Sequence, residues 1–185
     1  QALALRADGD RLVFRRCRFL GWQDTIFVNR GRHYFEDCSI EGHVDFIFGG
    51  ATAYFSRCHI HCLGDGYITA ASTPVESKHG MVFYGGTITT APGVKTYLGR
   101  PWRNYAKTAF ISMEMAEGIR SEGWHNWGRV EAERTVEYVE FGNHGDGAVL
   151  EGRVPWARRP TDRDIKVLSN PATVLGGSDA WDPLW

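Results

Sequence analysis

Hydrophobic positions in this 185-residue chain recur as a short phrase of fixed form. The phrase reads Phe14-x-x-Cys17-x-Phe19, then Phe35-x-x-Cys38-x-Ile40, then Phe55-x-x-Cys58-x-Ile60. It returns with glycine for cysteine as Phe83-x-x-Gly86-x-Ile88. The cysteine position advances by 21, 20 and 28 residues. A period in this range marks a solenoid, in which each repeat is one turn stacked on the last. Within the phrase, Cys and Phe or Ile stand two residues apart, the strand period, and therefore point to one face. Short, buried, β-rich strands at one-coil spacing predict an all-β domain, a parallel β-helix of roughly 20–28-residue coils. A leucine-rich repeat has a similar period, but its leucine framework is missing here.

The pattern predicts strands over 1–5, 11–19, 31–40, 51–62, 67–70, 81–89, 107–115 and 135–141. Asp8-Gly9-Asp10 and Gly64-Asp65-Gly66 read as turns between them. After Asn143-His144-Gly145-Asp146-Gly147 the repeat fades into a loop-rich or short-helical C-terminal segment. There Thr161 is placed to cap a short helix, and the tail from Trp181 to Trp185 is expected to pack back on the solenoid. Residues 1–185 form one domain. The chain opens on Gln1 directly before strand-like residues, and an uncapped solenoid end is an exposed edge. The expectation is therefore the later part of a longer protein, with a first coil open to self-association.

Composition narrows the partners. With 22 acidic and 21 basic residues, charge favours neither nucleic acid nor an anionic membrane. No apolar run reaches the length of a membrane span, and no signal peptide is visible. Aromatics make up 13% of a chain whose mean hydropathy is −0.33, so some are expected in an exposed groove. Phe14, Phe35, Phe55 and Phe83 belong to the core on their repeat position. Cys17, Cys38 and Cys58 read as a reduced interior ladder, although a disulfide between neighbouring coils is geometrically open. In Cys58-His59-Ile60-His61-Cys62 the strand period sends the cysteines to one face and the histidines to the other. Four metal ligands cannot converge from that arrangement.

Two acids stand out. Asp24 and Asp45 lie 21 residues apart, each seven residues after a repeat cysteine. Stacked strands lie about 4.8 Å apart, so these carboxylates should stand one above the other. Two adjacent carboxylates cannot both ionise freely, which keeps one protonated as a general acid beside a carboxylate nucleophile or base. Gln23, and Gln1 one coil before it, could donate to an oxyanion, and Arg100 could clamp one acid. On spacing alone, two solvated turn residues remain the alternative. Asp65 also lies seven residues after a cysteine, but its glycine neighbours favour a plain turn. Neither a Gly-x-Ser-x-Gly elbow nor a His-Glu-x-x-His helix occurs.

Gln1-Ala2-Leu3-Ala4-Leu5, Gly21-Trp22-Gln23-Asp24-Thr25, Asp45-Phe46-Ile47-Phe48-Gly49 and Leu98-Gly99-Arg100-Pro101-Trp102 resemble, in order, the motifs of pectin methylesterases. The resemblance continues through Gly123-Trp124 and covers nearly the whole chain. It implies a right-handed parallel β-helix and the removal of methyl esters from galacturonate units of pectin, without cofactor or metal. Asp45 would be the nucleophile, Asp24 the acid and then the base, Gln1 and Gln23 the oxyanion donors, and Arg100 the partner of Asp45. Phe27, Phe48, Trp102, Trp124 and Trp127 would line the sugar groove. The implied partner is methylated homogalacturonan, and the implied location is extracellular, at the cell wall. Two departures stand out: the family's earlier coils are missing, and the link from Asp45 to Arg100 is short, which predicts a lower rim. A non-catalytic β-helix that binds polysaccharide is the rival reading. A pectate lyase or polygalacturonase needs other groups, calcium carboxylates or acids spaced across a scissile bond.

Overall fold

The computed structural model describes residues 1–184. The chain winds as a right-handed parallel β-helix. Its strands are β1 (Leu5–Ala7), β2 (Leu12–Arg15), β3 (Arg18–Leu20), β4 (Ile26–Val28), β5 (Arg32–Glu36), β6 (Ser39–Gly49) and β7 (Thr52–Ser56). They continue as β8 (His59–Ala71), β9 (Met81–Tyr84), β10 (Thr87–Thr90), β11 (Thr96–Pro101), β12 (Lys107–Ile111), β13 (Glu114–Met115) and β14 (Glu137–Phe141). One sheet runs β14-β12-β9-β7-β5-β2, and the other runs β1-β4-β6-β8-β10-β13, with β3 on β6 and β11 on β8.

The repeat phrase bends in its middle. The uniform strands expected over 11–19, 31–40, 51–62, 81–89 and 107–115 each break two residues after the phenylalanine. There Arg16, Asp37, Arg57, Gly85 and Ser112 take φ values of 54°, 52°, 51°, 64° and 52°. One left-handed residue turns the backbone a corner between the sheets, so Phe, Cys and Ile all point inward from different walls. The inward rings form a column: Phe14–Phe35, Phe35–Phe55, Phe55–Phe83 and Phe83–Phe110 stack at 4.7, 4.6, 4.5 and 4.5 Å. These distances match the spacing of the strands that carry the rings. Phe110 belongs to a fifth phrase, Phe110-x-x-Met113-x-Met115, which the sequence reading did not pick out because methionine stands where cysteine was expected.

Two other expectations shift. The first strand is Leu5–Ala7, not 1–5, because pairing starts where the Ala4 N–H donates to Thr25 O at 2.8 Å. Gly64-Asp65-Gly66 does not interrupt β8, because Gly66 pairs with Thr96 of β11. All four cysteines are free, and His59 and His61 turn outward, sharing Thr89 Oγ1 at 2.8 Å each.

The C-terminal segment folds as α1 (Asp162–Leu168) and α2 (Pro171–Leu175). Thr161 caps α1 with a reciprocal box, its Oγ1 accepting from Asp164 N at 3.2 Å. Leu168, Val174 and Leu175 cover Tyr34, Tyr54 and Val82 on the outer face of the β2–β14 sheet. Trp181 packs against this cluster beneath the Arg32 guanidinium, as expected of the tail; Trp185 lies outside the described residues.

Candidate active site

Asp24 and Asp45 sit on the outside of the second sheet, just ahead of β4 and within β6. Ile26 pairs with Ile47, and Phe27 with Phe48, so the same 21-residue offset places Asp24 one coil before Asp45. Both aspartates are left-handed, with φ of 62° and 51°, a conformation that Asp tolerates better than most residues. The Asp24 N–H donates to Val44 O at 3.1 Å, and Thr25 Oγ1 donates to Glu41 O at 2.9 Å, which pins the turn. Along β4 and β6 the isoleucines point inward and are fully buried. Phe27 and Phe48 therefore point outward, where their rings stack at 4.6 Å.

Arg100 arrives from β11, in register with Ala70 of β8, which is itself in register with Phe48. The small Ala70 side chain lets the arginine reach back across two coils. Its Nε donates to Asp45 Oδ1 at 2.8 Å and its Nη2 to Oδ2 at 2.6 Å. This is a bidentate, charge-assisted pair, and both side chains are mostly buried, 9% exposed for Asp45 and 16% for Arg100. Asp24 has no such guanidinium clamp. Burial pushes its carboxyl above the ordinary carboxylate range, and the charge of Asp45 adds to that; Arg100 and the Gln1 amide pull the other way. The two acids are thus held in different environments, one ion-paired and one biased toward the protonated form.

Gln1, Gln23, Asp24, Asp45, Phe48, Ala70, Arg100, Trp102 and Trp127 line a single cleft of about 270 Å³. Trp102 stands edge-on to Phe27 and Phe48, at 6.2 and 5.8 Å. A charged centre flanked by amide donors and bordered by aromatic faces suits acyl chemistry on a polar ring.

The sequence profile of the Pectinesterase family matches residues 1–170. The chain belongs to the pectinesterase family. Pectinesterase 31 of Arabidopsis thaliana is 44% identical over 164 residues, covering 88% of this chain and 52% of that protein. The solved pectin methylesterase from carrot superposes with a TM-score of 0.90 at 32% identity, covering 97% of this chain and 61% of that one. A pectin methylesterase solved in complex with a hexasaccharide superposes with a TM-score of 0.82 at 29% identity, covering 99% and 62%. The chain thus spans about half the length of Pectinesterase 31 and about three fifths of these solved enzymes.

Not every residue named from the sequence lies in the cleft of this pectinesterase-family chain. Trp124 is a correction: it is 1% exposed, stacks on Tyr138 at 4.2 Å, and its Nε1 donates to Glu140 Oε1 at 3.0 Å. It fills the core, because Gly123, at φ 69°, turns the chain inward just before it. Phe27 stacks on Phe48 from the neighbouring coil and meets the edge of Trp102 on the same outward face, at the margin of the cleft. Asp65 is exposed and occupied elsewhere, accepting from Lys95 N at 2.7 Å and lying 3.5 Å from Arg120 Nη2. Tyr67 escaped the sequence reading, although its ring lies 3.8 Å from Arg100 Cζ. Its position was hidden because β6 and β8 pair through register shifts, Gly42 opposite Cys62 but Val44 opposite Tyr67.

Proposed function

We propose that this chain carries a carboxylic ester hydrolase site that removes methyl esters from galacturonate units of pectin and releases methanol. The observation that supports it best is the Asp45–Arg100 fork with Asp24 one coil away in the same cleft. A carboxylate nucleophile must stay ionised and aimed, and a bidentate guanidinium does both. Asp45 attacks the ester carbonyl carbon, and the oxygen that gains charge accepts hydrogen bonds from the side-chain amides of Gln1 and Gln23. When the intermediate collapses, the bond to methoxide breaks and Asp24 gives up its proton, so methanol leaves. What remains is an anhydride between Asp45 and the sugar acid. Asp24, now a carboxylate, takes a proton from water as that water attacks the acyl carbon. The bond to Asp45 breaks, the free galacturonate leaves, and both aspartates return to their starting states.

Phe48, Trp102 and Trp127 supply the faces against which galacturonate rings of methylated homogalacturonan would lie. The related enzyme solved with a hexasaccharide supports a carbohydrate chain as ligand. Pectin as substrate puts the site of action outside the cell, at the wall.

The test is methanol release from methylated pectin. Asp45→Asn keeps the shape and removes the attacking charge, so turnover should fall by about 10³ or more, while circular dichroism shows the β-helix still folded. Asp45→Asn turnover close to that of the parent would defeat the assignment.

A further inference from the structure

Arg100 is enclosed on more sides than its contact with Asp45 requires. Its Nε and Nη2 edge is spent on the carboxylate, which leaves the two flat faces of the guanidinium. One face lies 3.8 Å from the centre of the Tyr67 ring, the other 3.6 Å from the centre of the Trp127 ring. A guanidinium is weakly hydrated on its faces, and aromatic rings attract it there. The two walls are also tied to each other. The Tyr67 ring stacks on Tyr97 at 5.3 Å, and the His125 ring packs at 5.5 and 5.3 Å against both tyrosines. The Nδ1 of the same imidazole accepts the Trp127 N–H at 2.9 Å, which holds Trp127 in its left-handed turn at φ 58°.

Resting on the esterase reading above, we infer that Tyr67 is a positioning residue: with Trp127 it sandwiches Arg100 and so fixes the fork that orients Asp45. Tyr67 itself stays out of the cleft lining, whereas Trp127 belongs to it. Loss of the Tyr67 ring therefore acts on the chemical step through Arg100 and leaves substrate contact alone. An arginine with one open face swings away from its fork, and small misplacements of a reacting group cost about 10²-fold in rate.

Two readouts separate this from a merely structural part. In Tyr67→Leu, kcat for methanol release should fall about 10- to 100-fold with KM within about twofold, while Tyr67→Phe, which keeps the ring, should stay near the parent. Independently of turnover, the Arg100 Nε–H signal in nitrogen-edited NMR should exchange with water about tenfold faster in Tyr67→Leu and at the parental rate in Tyr67→Phe. Should Tyr67→Leu not fold, Trp127→Leu opens the opposite face and should expose the same Nε–H. Unchanged exchange in the leucine variants overturns the inference. So does a Tyr67→Phe variant as impaired as Tyr67→Leu, or a rise in KM at constant kcat. A parent that hydrolyses no ester yet loses Nε–H protection in Tyr67→Leu would sink the esterase reading and leave the clamp standing.

Discussion

Two aspartates of the same chemical type are driven apart by their surroundings. Asp45 is ion-paired on both oxygens, whereas burial and the charge of Asp45 raise the Asp24 carboxyl above its ordinary range. In the proposed cycle Asp24 must be protonated for methanol to leave and ionised for water to attack. Its protonated fraction falls as pH rises through its raised pKa, so the rate of the first methanol burst should decline on that side; stopped-flow detection of methanol follows it. Asp24→Asn should lack both the burst and steady turnover, because one carboxyl serves both steps. A full stoichiometric burst in that variant would leave Asp24 only the water-activating role. Trp124 belongs to a different account. Its indole is closed into the core, so Trp124→Ala should cost about 3–5 kcal/mol in thermal or denaturant unfolding. Trp102→Ala should instead weaken binding to oligogalacturonate in calorimetry, with little change in melting.

The corners between the two sheets carry much of the design of the coils. Each uses one left-handed residue, and four of the first five are not glycine. Ser112, exposed at φ 52°, makes the comparison simplest. A side chain there costs about 1–2 kcal/mol, and glycine gives back part of that through a more flexible unfolded chain. Ser112→Gly should therefore raise stability by about 0.5–1 kcal/mol, measured by urea unfolding; a loss of stability would mean that the serine side chain matters more than its backbone. A buried pair ties the later coils together. Arg153 forks onto Glu140 at 2.9 and 3.0 Å, and Glu140 also takes the Trp124 Nε1–H. Both partners are nearly closed off, 8% and 5% exposed. Arg153→Met leaves that carboxylate buried without its partner and should cost about 3–5 kcal/mol.

For the molecule as a whole, acid is the sensitive direction. Burial lowers the pKa of His33, His79 and His125, with His79 brought down to about 4. The unfolded chain binds protons at these histidines near pH 6.5, where the folded chain does not. Stability is therefore greatest above that value and falls as pH drops toward 4. The carboxylates held low by arginine, such as Asp8 at about 2, add a loss of the same sign further down, below the ordinary carboxylate range. Melting temperature followed from pH 7 to pH 4 should fall, and His79→Gln should flatten the slope. An unchanged slope in that variant would mean that His79 is solvated in solution.

The repeat phrase and the two acids could be read from the chain because both are local periodicities. A β-helix repeats its environment once per coil, so Phe14, Phe35 and Phe55 announce one stacked column, and Asp24 and Asp45 another. Glutamine next to aspartate was legible in the same way, whereas arginine before Pro101-Trp102 was legible through the family resemblance. Counting failed where the coils stop being equal. The four residues from Leu63 to Gly66 slip the pairing of β8 against β6, so Asp65 falls out of the acid column and Tyr67 falls opposite Val44, against Arg100. The corner residues were hidden for another reason: a left-handed φ at Arg16, Arg57 or Ser112 runs against side-chain preference and is set by the need to turn from one wall to the next. The family resemblance implied a groove residue at Trp124, which is core because the turn at Gly123 and the polar partner Glu140 together close it in. Which arene meets a sugar, which meets a guanidinium and which meets only other arenes depends on contacts across coils, and no spacing along the chain contains that.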